Sequence, residues 1–289
     1  LGNLSVSGTG INFGASTKIY QNGQSFLNST TSSRGNLAIG YQASPNIDSS
    51  TGSQSTFIGY QSGNIATSSL NTTAVGYRTL ASLITDPAFG GGYENSALGN
   101  ASMYNTTRGY SNSAFGNYSL YNNTTGYENS AFGDRALLSN TTGFRSSAFG
   151  KSALANGGNS SSSVAFGYSA GAGSGGHTKQ GGTYIGTESG ASASNNSDFN
   201  TFVGYRTGYS VTTGSNNIAI GANIELPSNT GTQQLNIGNL LYGTGIYNGA
   251  ALSSSPVSGG AIGIGTSSPW RTLSIKGNSD LGNNALAGN

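Results

Sequence analysis

The sequence predicts an all-β protein, a parallel β-roll or β-solenoid of about twelve coils of 17 or more residues. Three observations predict it: a glycine recurs at nearly constant spacing, whole columns of equivalent residues recur with it, and the composition is unusual. With 48 Gly and 5 Pro among 289 residues, the chain is too rich in glycine and too poor in aliphatic residues for one conventional compact core. The 16 Tyr and 11 Phe argue against disorder.

The repeat is a short motif of a small residue, an apolar residue and glycine. Most of the spacings between its glycines are 17 residues. The motif glycines are Gly40, Gly59, Gly76, Gly99, Gly116, Gly133, Gly150, Gly167, Gly186, Gly204, Gly221 and Gly238. A unit of this length cannot bury its apolar side alone but can do so by stacking on identical neighbours. Helical repeats need roughly twice this period, so the stacked units are predicted to be β-coils.

Two apolar columns are the predicted core of the repeat. One precedes the motif glycines and the other follows them: Leu98, Phe115, Phe132, Phe149 and Phe166, then Met103, Leu120, Leu137 and Leu154. Because side chains alternate along a strand, the alanine before each Phe and the motif glycine after it point to the other face. We expect the Phe and Leu columns to fill the interior and the flat Ala/Gly face to let another chain approach. The reverse assignment satisfies the same alternation.

A third column follows the turn glycines and is the candidate surface for contact with a ligand. Its members are Tyr93, Tyr110, Tyr127 and Phe144. Tyrosine offers a stacking surface for a glycan or a protein at a small entropy cost. The alternative is that these rings only cap the stack of coils.

The repeats divide the chain into three segments. Residues 1–36 are predicted to be an N-terminal strand and assembly segment, 37–240 the β-roll repeat domain, and 241–289 a C-terminal exit and assembly segment. The terminal coils of a solenoid expose unpaired edges, so apolar residues in the end segments are candidates for end-to-end assembly. These are Leu4, Val6, Ile11, Phe13, Ile262, Ile264, Leu273 and Ile275.

A period of 17 also predicts two contacts between charged residues. Asp134 should lie directly beside Lys151 in the next coil, and Glu128 beside Arg145. Both pairs are opposite in charge, so the contacts test the register of the coils.

Catalytic, cofactor and metal sites are not predicted. Cysteine is absent and His177 is the only histidine, which leaves no thiolate or paired-histidine site. Residues 143–152 imitate a phosphate-binding loop with the wrong glycine spacing. Glu94 and Glu128 lie two coils apart, near the separation of an inverting glycosidase pair, but the sequence shows no apolar pocket around either of them. A polysaccharide hydrolase is therefore the least favoured function.

Two classes of partner are also disfavoured. The 11 basic and 9 acidic residues are scattered rather than clustered, which argues against nucleic acid. No apolar run approaches the roughly 20 residues of a membrane span.

Residues 112–116 and 129–133, both NSAFG, and 217–221, NIAIG, resemble the NSxAIG-type head repeats of trimeric autotransporter adhesins. Similar repeats occur in phage tail-fibre and other bacterial surface proteins. The resemblance covers about residues 37–240 and implies a left-handed parallel β-roll wound as a homotrimer. Residues 263–269, GIGTSSP, resemble a segment common near the ends of such proteins.

The expected function is that of a structural subunit of an extracellular, homotrimeric adhesive fibre that projects from a cell surface and mediates attachment. The alternative is a tail-fibre shaft or receptor-binding protein of a phage or injection system. The expected partners are further copies of the chain, in a homotrimer that can also polymerise end to end, and a host or cell-surface glycan or protein. The expected location is extracellular or cell-surface, with the virion as the alternative.

Overall fold

The computed structural model describes residues 18–21, 24–30, 35–45, 54–66, 71–84, 91–173, 179–193, 197–246 and 259–276. These ranges contain strands and turns and no helix. The strands are β1 (Lys18–Gln21), β2 (Gln24–Thr30), β3 (Asn36–Ile39), β4 (Thr56–Ile58), β5 (Thr73–Val75), β6 (Ser96–Leu98), β7 (Ser113–Phe115), β8 (Ser130–Phe132), β9 (Ser147–Phe149), β10 (Ser160–Ser161), β11 (Val164–Phe166), β12 (Lys179–Gln180), β13 (Thr183–Ile185), β14 (Thr201–Val203), β15 (Ile218–Ile220), β16 (Gln234–Ile237), β17 (Leu241–Thr244), β18 (Ala261–Ile264) and β19 (Leu273–Ile275).

The main sheet is a single ladder of 17 strands that runs along the molecule. From β3 to β16 each of its strands pairs in parallel with the equivalent strand of the next coil, so that Phe115 lies beside Phe132 and Phe132 beside Phe149. Strands β10 and β12 form a separate parallel pair. The chain is therefore a parallel β-solenoid of about ten turns with repeats of about 17 residues, which confirms the predicted fold class.

Antiparallel strands close both ends of the parallel ladder. Strand β2 pairs antiparallel with β3, and β1 with β2. At the other end β17 pairs antiparallel with β16 and β18 with β17, while β19 continues in parallel with β18. The backbone edges of the first and last coils are thus covered by the chain itself, as stable solenoids require.

The interior contains the middle residue of each short strand and the column that follows the motif glycine. Ala114 and Ala131 are fully buried, as are Leu120 and Leu137. Met103 and Leu154 occupy the same buried column.

The column before the motif glycine faces outward, which corrects the expectation that it fills the interior. Phe115 is 37% exposed and both Leu98 and Phe166 are 47% exposed, while Phe132 and Phe149 are half-buried. The reverse assignment, with alanine inside, is the one that the chain adopts. The coil is narrow, and Met103, Leu120, Leu137 and Leu154 already fill the space inside it. Only a small residue such as alanine therefore fits on the inner face of these strands.

In most coils residue sizes compensate between the middle strand residue and the residue six positions later. In the central coils the strand contributes alanine and the partner is large, as in Ala131 and Leu137. In the coil of Ala165 the partner is Gly171, and a Cβ there would lie 2.5 Å from the Tyr184 ring of the next coil. Where the strand contributes an aromatic residue, the partner is glycine, because a Cβ on Gly190 would lie 2.4 Å from the Tyr184 ring and one on Gly208 would lie 2.6 Å from the Phe202 ring. Large and small side chains thus share the interior, and a ring from one coil fills space that its neighbour leaves open.

Buried asparagines explain the first letter of the NSAFG motif. The Asn95 side-chain carbonyl accepts the backbone N–H of Asn112 at 3.1 Å, and Asn112 accepts that of Asn129 at 3.0 Å. The Asn112 amide also donates to the Gly126 carbonyl at 2.8 Å. These side chains satisfy backbone groups at a corner where the strand pairing stops, so they hold consecutive coils together.

Stability should fall at alkaline pH because of Tyr184. Full burial raises the pKa of Tyr184 well above its usual value of 10.0. Between about pH 10 and 12 the unfolded chain loses this proton while the folded chain keeps it, so stability present below pH 10 is lost as pH rises. We expect Tyr184→Phe to flatten the decline by about 1.4 kcal/mol per pH unit in urea unfolding. Equal slopes in the two proteins would contradict this.

Candidate assembly and contact surfaces

A continuous apolar column, here named the stripe, follows one register position through all 17 strands of the main sheet. Its residues, in ladder order, are Ile19, Leu27, Ile39, Ile58, Val75, Leu98, Phe115, Phe132, Phe149, Phe166, Ile185, Val203, Ile220, Ile237, Leu241, Ile264 and Ile275. At about 4.8 Å per strand its length is on the order of 75 Å. From Ile39 onward every one of these side chains is exposed or half-buried.

The stripe crosses the strands that close the ends as well as the coils. Ile237 pairs with Leu241, Leu241 with Ile264, and Ile264 with Ile275, although two of these pairings are antiparallel. At the other end Leu27 of β2 occupies the position beside Ile39. Since strand direction reverses at these points, a shared coil motif does not account for the continuity.

The stripe is narrow in the middle of the rod and wider at the C-terminal end. Beside the Phe residues, the outward positions two residues earlier are serines such as Ser113 and Ser130. In the last strands the column that holds these serines holds Ile218, Leu235, Ile262 and Leu273 instead. Gly243 interrupts it and lines an apolar cavity of about 340 Å³.

The candidate assembly residues at the C-terminal end lie on this wider face. Ile262 pairs with Leu273 and Ile264 with Ile275, and all four side chains are exposed. The structure brings them together in one exposed apolar patch. Leu4, Val6, Ile11 and Phe13 lie outside the described residues.

The candidate contact column Tyr93, Tyr110, Tyr127 and Phe144 forms one stack of half-buried rings. Ring centroids are 5.1, 4.8 and 5.0 Å apart in order along the stack. Because the ring faces cover one another, contact with a ligand would involve the ring edges and the phenol groups. The pKa of Tyr110 is raised above its usual value, mainly by partial burial and to a smaller extent by the neighbouring Tyr127 and Tyr93.

Both predicted charge contacts between coils are present. Arg145 Nε lies 2.7 Å from Glu128 Oε2, and Lys151 Nζ lies 3.9 Å from Asp134 Oδ2. The register of 17 residues is thereby confirmed at the level of side chains. Exposed pairs of this kind contribute only about 0 to 1 kcal/mol each.

The glutamates considered as a catalytic pair have other contacts. Glu94 accepts a hydrogen bond from the Ser111 hydroxyl at 3.0 Å, and Glu128 binds Arg145. Both glutamates are exposed. His177 lies outside the described residues. Within the described part of the chain no group of three His, Cys, Asp or Glu residues could hold a metal ion, and no helix could span a membrane.

Comparison of the chain with protein-family models, with curated proteins and with solved structures finds no match. The function proposed below is therefore argued from the stripe and the other surfaces described above.

Proposed function

We propose that the chain is a structural subunit of an extracellular, homotrimeric adhesive fibre. The observation that carries the proposal is the stripe, in which every side chain from Ile39 to Ile275 is exposed or half-buried. Monomeric soluble proteins rarely expose contiguous apolar patches larger than a few hundred Å². A stripe on the order of 75 Å long is therefore expected to be covered in the working molecule.

The partner that fits the stripe best is a second copy of the chain. A partner must be straight, as long as the rod, and apolar at the same 4.8 Å intervals, including the strands that close both ends. A copy in parallel register meets all three requirements, because each stripe residue then faces its own equivalent. In the centre this places the stacked Phe115, Phe132 and Phe149 rings of one rod against those of another.

The stoichiometry of three and the parallel orientation come from the resemblance of the NSAFG and NIAIG repeats to trimeric autotransporter adhesin heads. One stripe on each rod is compatible with a closed arrangement in which three stripes meet on an axis. The other faces, which carry the tyrosine stack and the polar turns, would remain outside for attachment to a glycan or protein.

A charge placed in the stripe should dissociate the trimer. In Phe132→Asp, three carboxylates would meet near the axis without partners, at a cost of about 3 kcal/mol or more. The chain should keep its β-structure because Phe132 points outward. We expect multi-angle light scattering to show a fall from the trimeric to the monomeric mass.

The matched control is Thr125→Asp, which adds the same charge in an exposed turn away from the stripe. It should retain the trimeric mass. A trimeric Phe132→Asp protein with unchanged circular dichroism would place the interface elsewhere on the rod.

The place of the fibre is tested by immunogold electron microscopy with antibodies against the purified chain. We expect label on filaments that project from cells of the source organism. Label on virion appendages would favour the tail-fibre alternative, and label confined to the cell interior would reject an extracellular fibre altogether.

A further inference from the structure

Tyrosines at equivalent positions of consecutive coils form three stacks. The stacks consist of Tyr41, Tyr60 and Tyr77; Tyr93, Tyr110 and Tyr127; and Tyr104 with Tyr121. Their ring centroids are 4.8 to 5.3 Å apart and their planes differ by 5 to 21°. The spacing follows from the ladder, since equivalent residues of adjacent coils are about 4.8 Å apart.

This arrangement holds phenol rings in contact while leaving them accessible. Tyr41, Tyr60 and Tyr77 are 36%, 43% and 48% exposed, so a small oxidant can reach each ring. The backbone ladder fixes both members of each pair, which gives a reaction between them a high effective concentration.

We propose that these stacks are sites of oxidative dityrosine cross-linking, in which each new bond joins two consecutive coils. A one-electron oxidant, such as a haem peroxidase with hydrogen peroxide, removes one electron and one proton from each of two phenols. The two phenoxyl radicals combine through their ortho carbons. The two ring hydrogens then move to the phenol oxygens as the rings regain aromaticity. Overall, two tyrosines and one hydrogen peroxide give one dityrosine and two waters.

The consequence is a covalent clamp between coils that are otherwise joined by hydrogen bonds and packing. A bond from Tyr60 to Tyr77 closes a loop of one coil, which restricts the unfolded chain and opposes separation of the coils. The inference concerns contacts within one chain, so it is independent of the proposed trimer. Such cross-links would also stiffen a fibre that carries mechanical load.

The chain contains its own controls. Tyr168 and Tyr205 are each 49% exposed, so an oxidant reaches them as easily as Tyr77. Their positions in the ladder are separated by the coil that carries Thr187. They should form radicals without a stacked partner. The fourth ring of the second stack is Phe144, which has no phenol group, so coupling should end at Tyr127.

The test is to treat the purified full chain with peroxidase and hydrogen peroxide and to map dityrosine by fluorescence and peptide mass spectrometry. Mixing ¹⁵N-labelled with unlabelled chains before assembly separates links within a chain from links between chains. We expect links between neighbouring members of the three stacks, within one chain. These should exceed any Tyr168–Tyr205 link by on the order of tenfold or more.

Tyr60→Phe keeps a stacked ring and removes the middle phenol of the first stack. We expect it to leave Tyr41 and Tyr77 unlinked, because they are two coils apart, while the other two stacks react as before. Tyr168→Phe should leave all links within the chain unchanged. The proposal is overturned if Tyr41 and Tyr77 link readily in Tyr60→Phe, if Tyr168 and Tyr205 link as well as the stacked pairs, or if the links join different chains.

Discussion

Gly133→Ala is expected to unfold the central coils. Gly133 has φ +142°, a conformation that residues with side chains rarely adopt, and a Cβ there would lie 2.5 Å from the carbonyl oxygen and 2.6 Å from the carbonyl carbon of Gly150. The atoms in the way belong to the backbone of the next coil, so they cannot move without breaking the ladder. We expect a loss of more than about 3 kcal/mol, seen in urea unfolding followed by circular dichroism.

Gly238→Ala is the matched control for this prediction. Gly238 is the last motif glycine, it has φ +59°, and a Cβ would meet nothing within 4 Å. The substitution should cost only about 1 to 2 kcal/mol from the left-handed backbone conformation. Equal losses at the two glycines would show that close packing of the coils is not what requires glycine at position 133.

Leu137→Ala should also be strongly destabilising, by about 2 to 5 kcal/mol. Leu137 is fully buried and Ala131 in the same coil is too small to fill its place, so truncation leaves a cavity. The neighbouring half-buried residue provides the control, since Leu138→Ala should cost less than about 1 kcal/mol. The measurement is again urea unfolding, at equal protein concentration for all variants.

The compensation of sizes within the coil allows a sharper version of this experiment. Ala131→Leu alone should destabilise by overpacking, but together with Leu137→Ala it exchanges the large and small partners. The double variant should be more stable than the sum of the two single losses predicts. Additive losses would contradict the account of interior packing.

The spacing of glycines was sufficient to predict the coil, and the pairs Asp134–Lys151 and Glu128–Arg145 confirm its register. Alternation along a strand could not decide which face is buried, because it fits either assignment. The deciding signal is the exchange of sizes that most coils show at positions six residues apart, as in Tyr184 with Gly190 and Ala131 with Leu137. The column that contains Phe115 shows no such exchange, since its members lie outside.

The strands that close the ends could not be predicted from the repeat. Strands β2, β17 and β18 pair antiparallel, so they fall outside a motif defined by parallel stacking. The full length of the stripe becomes visible only once those pairings are known, because Leu241 and Ile264 join it by register rather than by sequence spacing.

The central claim is that the stripe is covered by other copies of the chain, and the most direct measurement is the mass of the purified protein in solution. Sedimentation equilibrium at micromolar concentration should give three times the 29.0 kDa of one chain, with the circular dichroism of a β-protein. A mass of 29.0 kDa with intact β-structure would contradict the claim, because the stripe would then be stable in water without a partner.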